Sequence, residues 1–137
     1  MTAVNDFNRT LIDEFRANDG KVAGAFDGRP LLLLTTTGAK SGRKHTTPVV
    51  FLNDGNRIVV FASKGGSPSN PAWFHNLVAN SGVTVELPGE TFEGRAAVTS
   101  GAERERLWET QKAAMPMFAE YEAKTDRQIP VVVIERS

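Results

Sequence analysis

"LLLLTTTGAKSGRKHTTPVVFLNDGNRIVVFAS", residues 31–63, holds three apolar runs broken by two turns. Leu31–Thr37 is rich in residues that tolerate strands, and Thr46–Leu52 reads as its hairpin partner. Arg57–Ser63 reads as a third strand, because "NDGN" at 53–56 is a tight-turn signal. Gly38 and Gly42 break the first two runs apart. Consecutive strands joined this tightly predict antiparallel pairing.

The rest of the chain extends the pattern. Residues 4–18 place Val4, Phe7, Leu11, Ile12 and Phe15 at helical spacing, and Gly20, Gly24, Gly28 and Pro30 then read as a loop. Pro71–Ala79 is expected to be a helix, with Asn70 as its N-cap and Pro71 at the first helical position. Val83–Leu87 and Thr91–Thr99 flank a "PGE" turn and predict two more strands. Ser100, with Glu103 in capping-box position, predicts a helix running to about Ala114. Pro116 opens a shorter helix to about Lys124, "TDR" at 125–127 reads as a turn, and Ile129–Glu135 is the last strand. The expected fold class is α+β: about six mostly antiparallel strands curled into a small barrel, an N-terminal helix and peripheral helices. No repeat or linker divides the chain, so residues 1–137 are expected to be one domain.

Composition narrows the function. Sixteen Lys plus Arg balance 16 Asp plus Glu, so a dedicated nucleic-acid binder is not expected. There is no cysteine and there are only two histidines, His45 and His75, so no metal site is expected. The N-terminus has no apolar signal core, and no run approaches the ~18 apolar residues of a spanning helix, so the cytoplasm is the expected location.

Two basic, glycine-bearing stretches stand out. Lys40, Arg43, Lys44 and His45 crowd the first hairpin turn beside Gly38 and Gly42. "SKGGSPSNP", 63–71, leads from a strand end through Lys64, Gly65 and Gly66 to a helix start. Glycines open backbone N–H groups, lysines supply charge, and a helix N-terminus carries partial positive charge; together these suit a phosphate. Each stretch alone reads equally as an ordinary solvated turn. If the turn after the first strand and the end of the third share a sheet edge, the two loops make one anion cradle. Met115, Phe118 and Tyr121 add a soft apolar stripe, which suits either core or the wall of a flat ligand. No carboxylate pair or Ser-His-Asp arrangement is evident, a pattern that fits chemistry carried by a cofactor.

"LLLLTTTGAKSGRKHTTPVVF", "FASKGGSPSNPAWFHNL" and "YEAKTDRQIPVVVIER", in this order and spacing, resemble the deazaflavin-dependent nitroreductase family of actinobacteria, over about Phe7 to Arg136. The resemblance implies a split β-barrel of the flavin-reductase kind, and reduced coenzyme F420 as the hydride source for an electron-poor acceptor such as a quinone, enone or nitro compound. It assigns Lys40 and Lys64 to the cofactor phosphate. Ser63, Gly65 and Gly66 then form the adjoining loop, and Asn70, Pro71 and Trp73 the start of the helix beside the cofactor. The ring would lie on main chain near Pro48, Val49 and Val50 and at Ser63, with Arg43 and His45 helping to hold the acidic end. Ser63 and Tyr121 would stand at the reacting face. Tyr121 would contact the acceptor or supply its proton, and Met115 and Phe118 would share the acceptor pocket. The chain departs from the family at His45, where a phosphate-binding arginine is common. It departs also at Met115 and Phe118, where the nitroimidazole-activating member has pocket tyrosines. Losing those hydroxyls points away from nitroimidazoles and toward quinones or enones. An FMN-dependent reductase on the same barrel, or a non-catalytic deazaflavin carrier, are the alternatives. A homodimer and a peripheral membrane contact through the Phe7, Leu11 and Phe15 stripe stay open; coverage of the chain's own barrel is the expected role of that helix.

Overall fold

The computed structural model describes residues 3–17, 31–63, 70–125 and 128–136, with side chains from residue 9 onward in the first segment. The expected loop through Gly20, Gly24, Gly28 and Pro30 lies outside these residues, as do Lys64, Gly65, Gly66, Asp126 and Arg127. The elements run in the order α1 (Ala3–Ala17), β1 (Leu31–Thr37), β2 (Lys44–Asp54), β3 (Arg57–Phe61), α2 (Ala72–Ala79), β4 (Gly82–Leu87), β5 (Glu90–Val98), α3 (Gly101–Ala114), α4 (Met117–Ala123) and β6 (Val131–Arg136). The strands close into a barrel in the order β1-β2-β3-β6-β5-β4, every pair antiparallel, with β4 returning to β1.

Strand alternation sends successive side chains to opposite faces, and this divides the core in two. Leu32, Leu34, Ile58, Val60, Val83, Val85, Val132 and Ile134 fill the interior, where α2 adds Trp73 and Leu77. The alternate residues point outward and are covered by helices. Leu31 and Leu33 meet Leu11 and Phe15 of α1. Val59, Phe61, Val131 and Val133 meet Leu107, Trp108 and Phe118 of α3 and α4. All four leucines of the opening run are therefore buried, two on each face. The described part of α1 covers its own barrel, fixed further by a salt bridge from Arg16 to Glu86 at 2.8 Å. Among the described residues, no helix is long and apolar enough to cross a membrane.

The β2–β3 turn follows from "NDGN": Gly55 has φ 61, a left-handed conformation that glycine adopts without strain. Two capping expectations are corrected. Pro71, not Asn70, occupies the N-cap of α2, with extended backbone (φ −68, ψ 157). Ser100 does cap α3 but makes no side-chain cap bond, and Glu103 turns away to Arg57.

Pairing along β2 is uneven. Lys44–Val50 pair with β1, whereas only Phe51–Asp54 pair with β3. Over Lys44–Val50 the second edge of β2 thus carries no strand among the described residues. Pro48 sits within that stretch. Proline lacks a backbone donor and is tolerated in a strand where an edge is open.

Candidate functional site

Because β1 and β3 are both antiparallel to β2, they run in the same direction, but β1 ends beside Lys44 of β2 whereas Val60, near the end of β3, pairs with Phe51. Ser63, at the exit of β3, and the basic hairpin turn, residues 38–43, are therefore reached in the same strand direction but from different levels of β2. The turn is internally braced. Gly38 N–H donates to the Arg43 carbonyl at 2.7 Å, Gly42 N–H to the Gly38 carbonyl at 3.0 Å, and Arg43 N–H to Ser41 Oγ at 3.1 Å. Gly38 is required by close approach: a Cβ there would lie 2.5 Å from Ser41 Oγ, 3.1 Å from His45 Nε2 and 3.3 Å from the Arg43 carbonyl. His45 thus folds back over the start of the turn. Lys40, Arg43, Lys44 and His45 are all exposed. Lys44 Nζ donates to Thr37 Oγ1 at 2.9 Å, while no side-chain bond among the described residues engages Lys40. Four cationic or protonatable groups in one braced turn, without a carboxylate bonded to them among the described residues, form a local basic patch on a chain of zero net charge.

Helix α2 approaches the same turn. Trp73 and Leu77 anchor it in the barrel interior, at 7% and 2% exposure. Its polar contact with the turn was not visible in the sequence: Asn76 Oδ1 accepts from Ala39 N–H at 3.0 Å, and Asn76 Nδ2 donates to Thr36 Oγ1 at 3.2 Å. Asn80 Nδ2 reaches the Thr37 carbonyl at 3.5 Å. Ser63, at the exit of β3, is buried, Pro71 is buried and Asn70 is half-buried. His75 is exposed and stacks edge-on against Phe74.

The outward face of β2 leads from the turn to an apolar wall. Val50 and Leu52, like Met115, Met117 and Tyr121, are half-buried and pack against the same outer core cluster. The strand from Lys44 to Val50 extends over roughly 20 Å at ~3.3 Å per residue. Phe118 is placed behind this wall: it is 4% exposed, with ring centroids 5.7 Å from Phe61, 6.1 Å from Trp108 and 5.1 Å from Tyr121. It backs Tyr121 and offers little face of its own. Tyr121 Oη donates to Met117 Sδ at 3.3 Å, and buried Gln111 Nε2 donates to Met115 Sδ at 3.4 Å. Met117 and Gln111 escape sequence reasoning, since a methionine or glutamine on a helix carries no pattern of its own.

These parts can be tested against a phosphate-bearing, flavin-like cofactor. The exposed cations suit phosphate and carboxylate groups. The open edge of β2 offers main-chain donors and acceptors to a ring with N–H and C=O edges. The Met–Tyr wall suits a flat apolar ring. The residues present fit such a group.

A sequence profile of the F420H2-dependent quinone reductase family matches residues 7–136. An F420H2-dependent quinone reductase of Mycobacterium tuberculosis is 35% identical over 126 residues, 89% of this chain and 85% of that protein. A solved structure described as an F420-H2 dependent reductase is 42% identical, with a TM-score of 0.72 over 78% of this chain and 95% of that one. A second, described as a domain-swapped dimer, is 35% identical with a TM-score of 0.74 over 97% and 100%. The fold extends to a pyridoxamine 5'-phosphate oxidase-like structure of Listeria innocua at 16% identity and a TM-score of 0.58, over 79% of this chain and 84% of that one. The chain belongs to the F420H2-dependent quinone reductase family, on an α+β split barrel.

Proposed function

We propose that this member of the family binds F420 along the open edge of β2, with its phosphate and acidic tail on the basic turn, and reduces a quinone at the Met–Tyr wall. One observation carries the reading: the stretch Lys44–Val50, paired with β1 on one edge and with no strand on the other among the described residues, runs from the exposed cations of the turn to the apolar wall at Val50. Lys40, Arg43 and His45 hold the anionic end, and Lys64 joins them from the second basic stretch. Main chain at Pro48, Val49 and Val50 orients the ring through its polar edges, and Ser63 with the α2 start at Asn70, Pro71 and Trp73 bounds it. When bound, reduced F420 supplies a hydride to the acceptor. The chain's contribution is placement, since hydride transfer needs close, face-to-face approach. Met115, Met117 and Tyr121 position the acceptor, backed by Phe118. Hydride addition to a quinone leaves an oxyanion that takes up one proton to become the hydroquinone. Among the described residues Tyr121 Oη is held by a thioether, a weak acceptor, so it can turn and donate there. The domain-swapped relative supports a homodimer, which the mass in solution would test.

The test is a fluorescence titration of the purified protein with F420 and, separately, FMN, followed by oxidation of F420H2 with a panel of quinones. Binding of F420 over FMN with quinone-dependent turnover is expected. Preference for FMN would replace the cofactor, and tight F420 binding without turnover on any acceptor would make the protein a carrier.

A further inference from the structure

We infer that Asn76 is a positioning residue that fixes the tilt of the basic turn against the barrel and so sets its affinity for the cofactor's anionic end; this rests on the cofactor reading above. The bonds inside the turn, Gly38 to Arg43, Gly42 to Gly38 and Arg43 to Ser41, define its shape. They do not define its direction, because every partner moves with the turn. Direction needs a bond from outside the hairpin. Asn76 supplies two with one amide: Oδ1 takes the N–H of Ala39, and Nδ2 gives to Thr36 Oγ1 on β1. Thr36 is 1% exposed, so the second bond is registered to the rigid part of the barrel. Asn76 lies one helical turn beyond Trp73 and next to Leu77, both locked in the interior. The amide therefore cannot follow the turn if it swings; it holds it. Ala39 directly precedes Lys40, so the bonded N–H lies one residue from the cation that no described side chain engages.

The geometry also accounts for the residue type. An acceptor for Ala39 N–H and a second polar atom for Thr36 Oγ1, which can donate or accept, are needed on a short stem. Aspartate could accept from both Ala39 N–H and Thr36 Oγ1–H, but would bring a negative charge to the anion site.

The test reads the turn without cofactor first. Amide exchange by NMR should show Ala39 protected in the wild type and exchanging at least about tenfold faster in Asn76→Ala, while Gly38, bonded within the turn, keeps its protection. Equal Ala39 protection in the variant overturns the inference. Then F420 dissociation constants are measured for the wild type, Asn76→Ala, Lys40→Ala and the double variant. Asn76→Ala is expected to weaken binding about fivefold, and to raise KM for F420H2 more than it lowers kcat. In the Lys40→Ala background the added effect should shrink below about twofold, because the two residues act through one contact. Multiplicative effects, or a fall in kcat with KM unchanged, overturn it. If Asn76→Ala does not fold, Thr36→Val removes the Nδ2 acceptor alone and should weaken F420 binding about twofold; unchanged affinity overturns the inference. Failures are separable: a wild type that does not bind F420 removes the cofactor reading and this inference with it, whereas normal F420 binding lost in Lys40→Ala but kept in Asn76→Ala removes this inference alone.

Discussion

Asp54 closes β2 at the tight turn, and its carboxylate collects two arginines from different parts of the chain. Arg57 Nη2 donates to Oδ2 at 2.6 Å, and Arg106 donates to Oδ1 and Oδ2, each at 3.2 Å. Arg57 also reaches Glu103 at 3.0 Å, so the network pins the β2–β3 turn to α3. The hydrogen bonds from Arg106 and then Arg57 hold the Asp54 pKa down from 3.8 to about 2. A carboxyl that is more acidic when folded stabilises the protein above its unfolded pKa, and this contribution is lost as pH falls through the folded one. At full strength the difference is worth about 2.4 kcal/mol. The Asp54 side chain is 22% exposed and Arg106 54% exposed, so the pair is partly screened. Screening reduces the expected contribution to about 1 kcal/mol. Urea unfolding of the wild type and Asp54→Asn at fixed pH from 6 to 1.5 measures it. The wild type should lead by about 1 kcal/mol at pH 6, or about 0.7 M in midpoint. The lead should shrink between pH 4 and 2 and vanish below. Other carboxylates titrate in both proteins and cancel in the difference. A gap that stays constant down to pH 2, or none at pH 6, refutes the reasoning.

Three further outcomes are expected. Lys40→Ala should raise the F420 dissociation constant about tenfold, with a shallower dependence on ionic strength, read by fluorescence titration at several salt concentrations; an unchanged salt slope removes Lys40 from the site. Tyr121→Phe should lower quinone turnover at least about tenfold while leaving F420 affinity alone, and an unaltered kcat would make solvent the proton donor. Gly94→Ala should destabilise the barrel by about 2 kcal/mol and lower Tm by about 8 °C, because the added Cβ would lie 2.7 Å from Ile134 Cγ2 and 3.0 Å from the Glu135 carbonyl. A calorimetric Tm within a degree of the wild type would contradict that contact.

The barrel was legible because its signals are local. "NDGN" fixes a hairpin by backbone conformation alone, and the four leucines with Thr46–Leu52 set the first pairing; the structure pairs Leu31 with Val50 and Thr37 with Lys44. What sequence reasoning missed depends on partners far away in the chain. Glu103 forms no capping box because Arg57, 46 residues earlier, competes for it. Asn76 finds Ala39 at a separation of 37, and nothing in its own neighbourhood distinguishes it from a solvated helix residue. Phe118 shares its stripe with Tyr121, yet burial beside Phe61 and Trp108 separates their surroundings, a difference set by how α4 lies on the sheet. The common direction of β1 and β3 follows from antiparallel pairing, but the register, which ends β1 beside Lys44 and brings β3 to Phe51, was not legible. Lys64 was legible in the sequence but lies outside the described residues.

The open edge of β2 has a consequence for the protein without its cofactor. An unpaired strand edge is a template on which another chain can add a strand, the first step of aggregation. This edge carries its own deterrents: Lys44 and His45 place cationic or protonatable side chains at its start, and Pro48 removes a donor from its middle. They act as gatekeepers on the free strand edge, and a ligand seated there would take over the task. The stretch proposed to receive the cofactor would therefore also govern the colloidal behaviour of the apoprotein. Pro48→Val, which restores the donor, would trade solubility of the free chain for a more continuous strand.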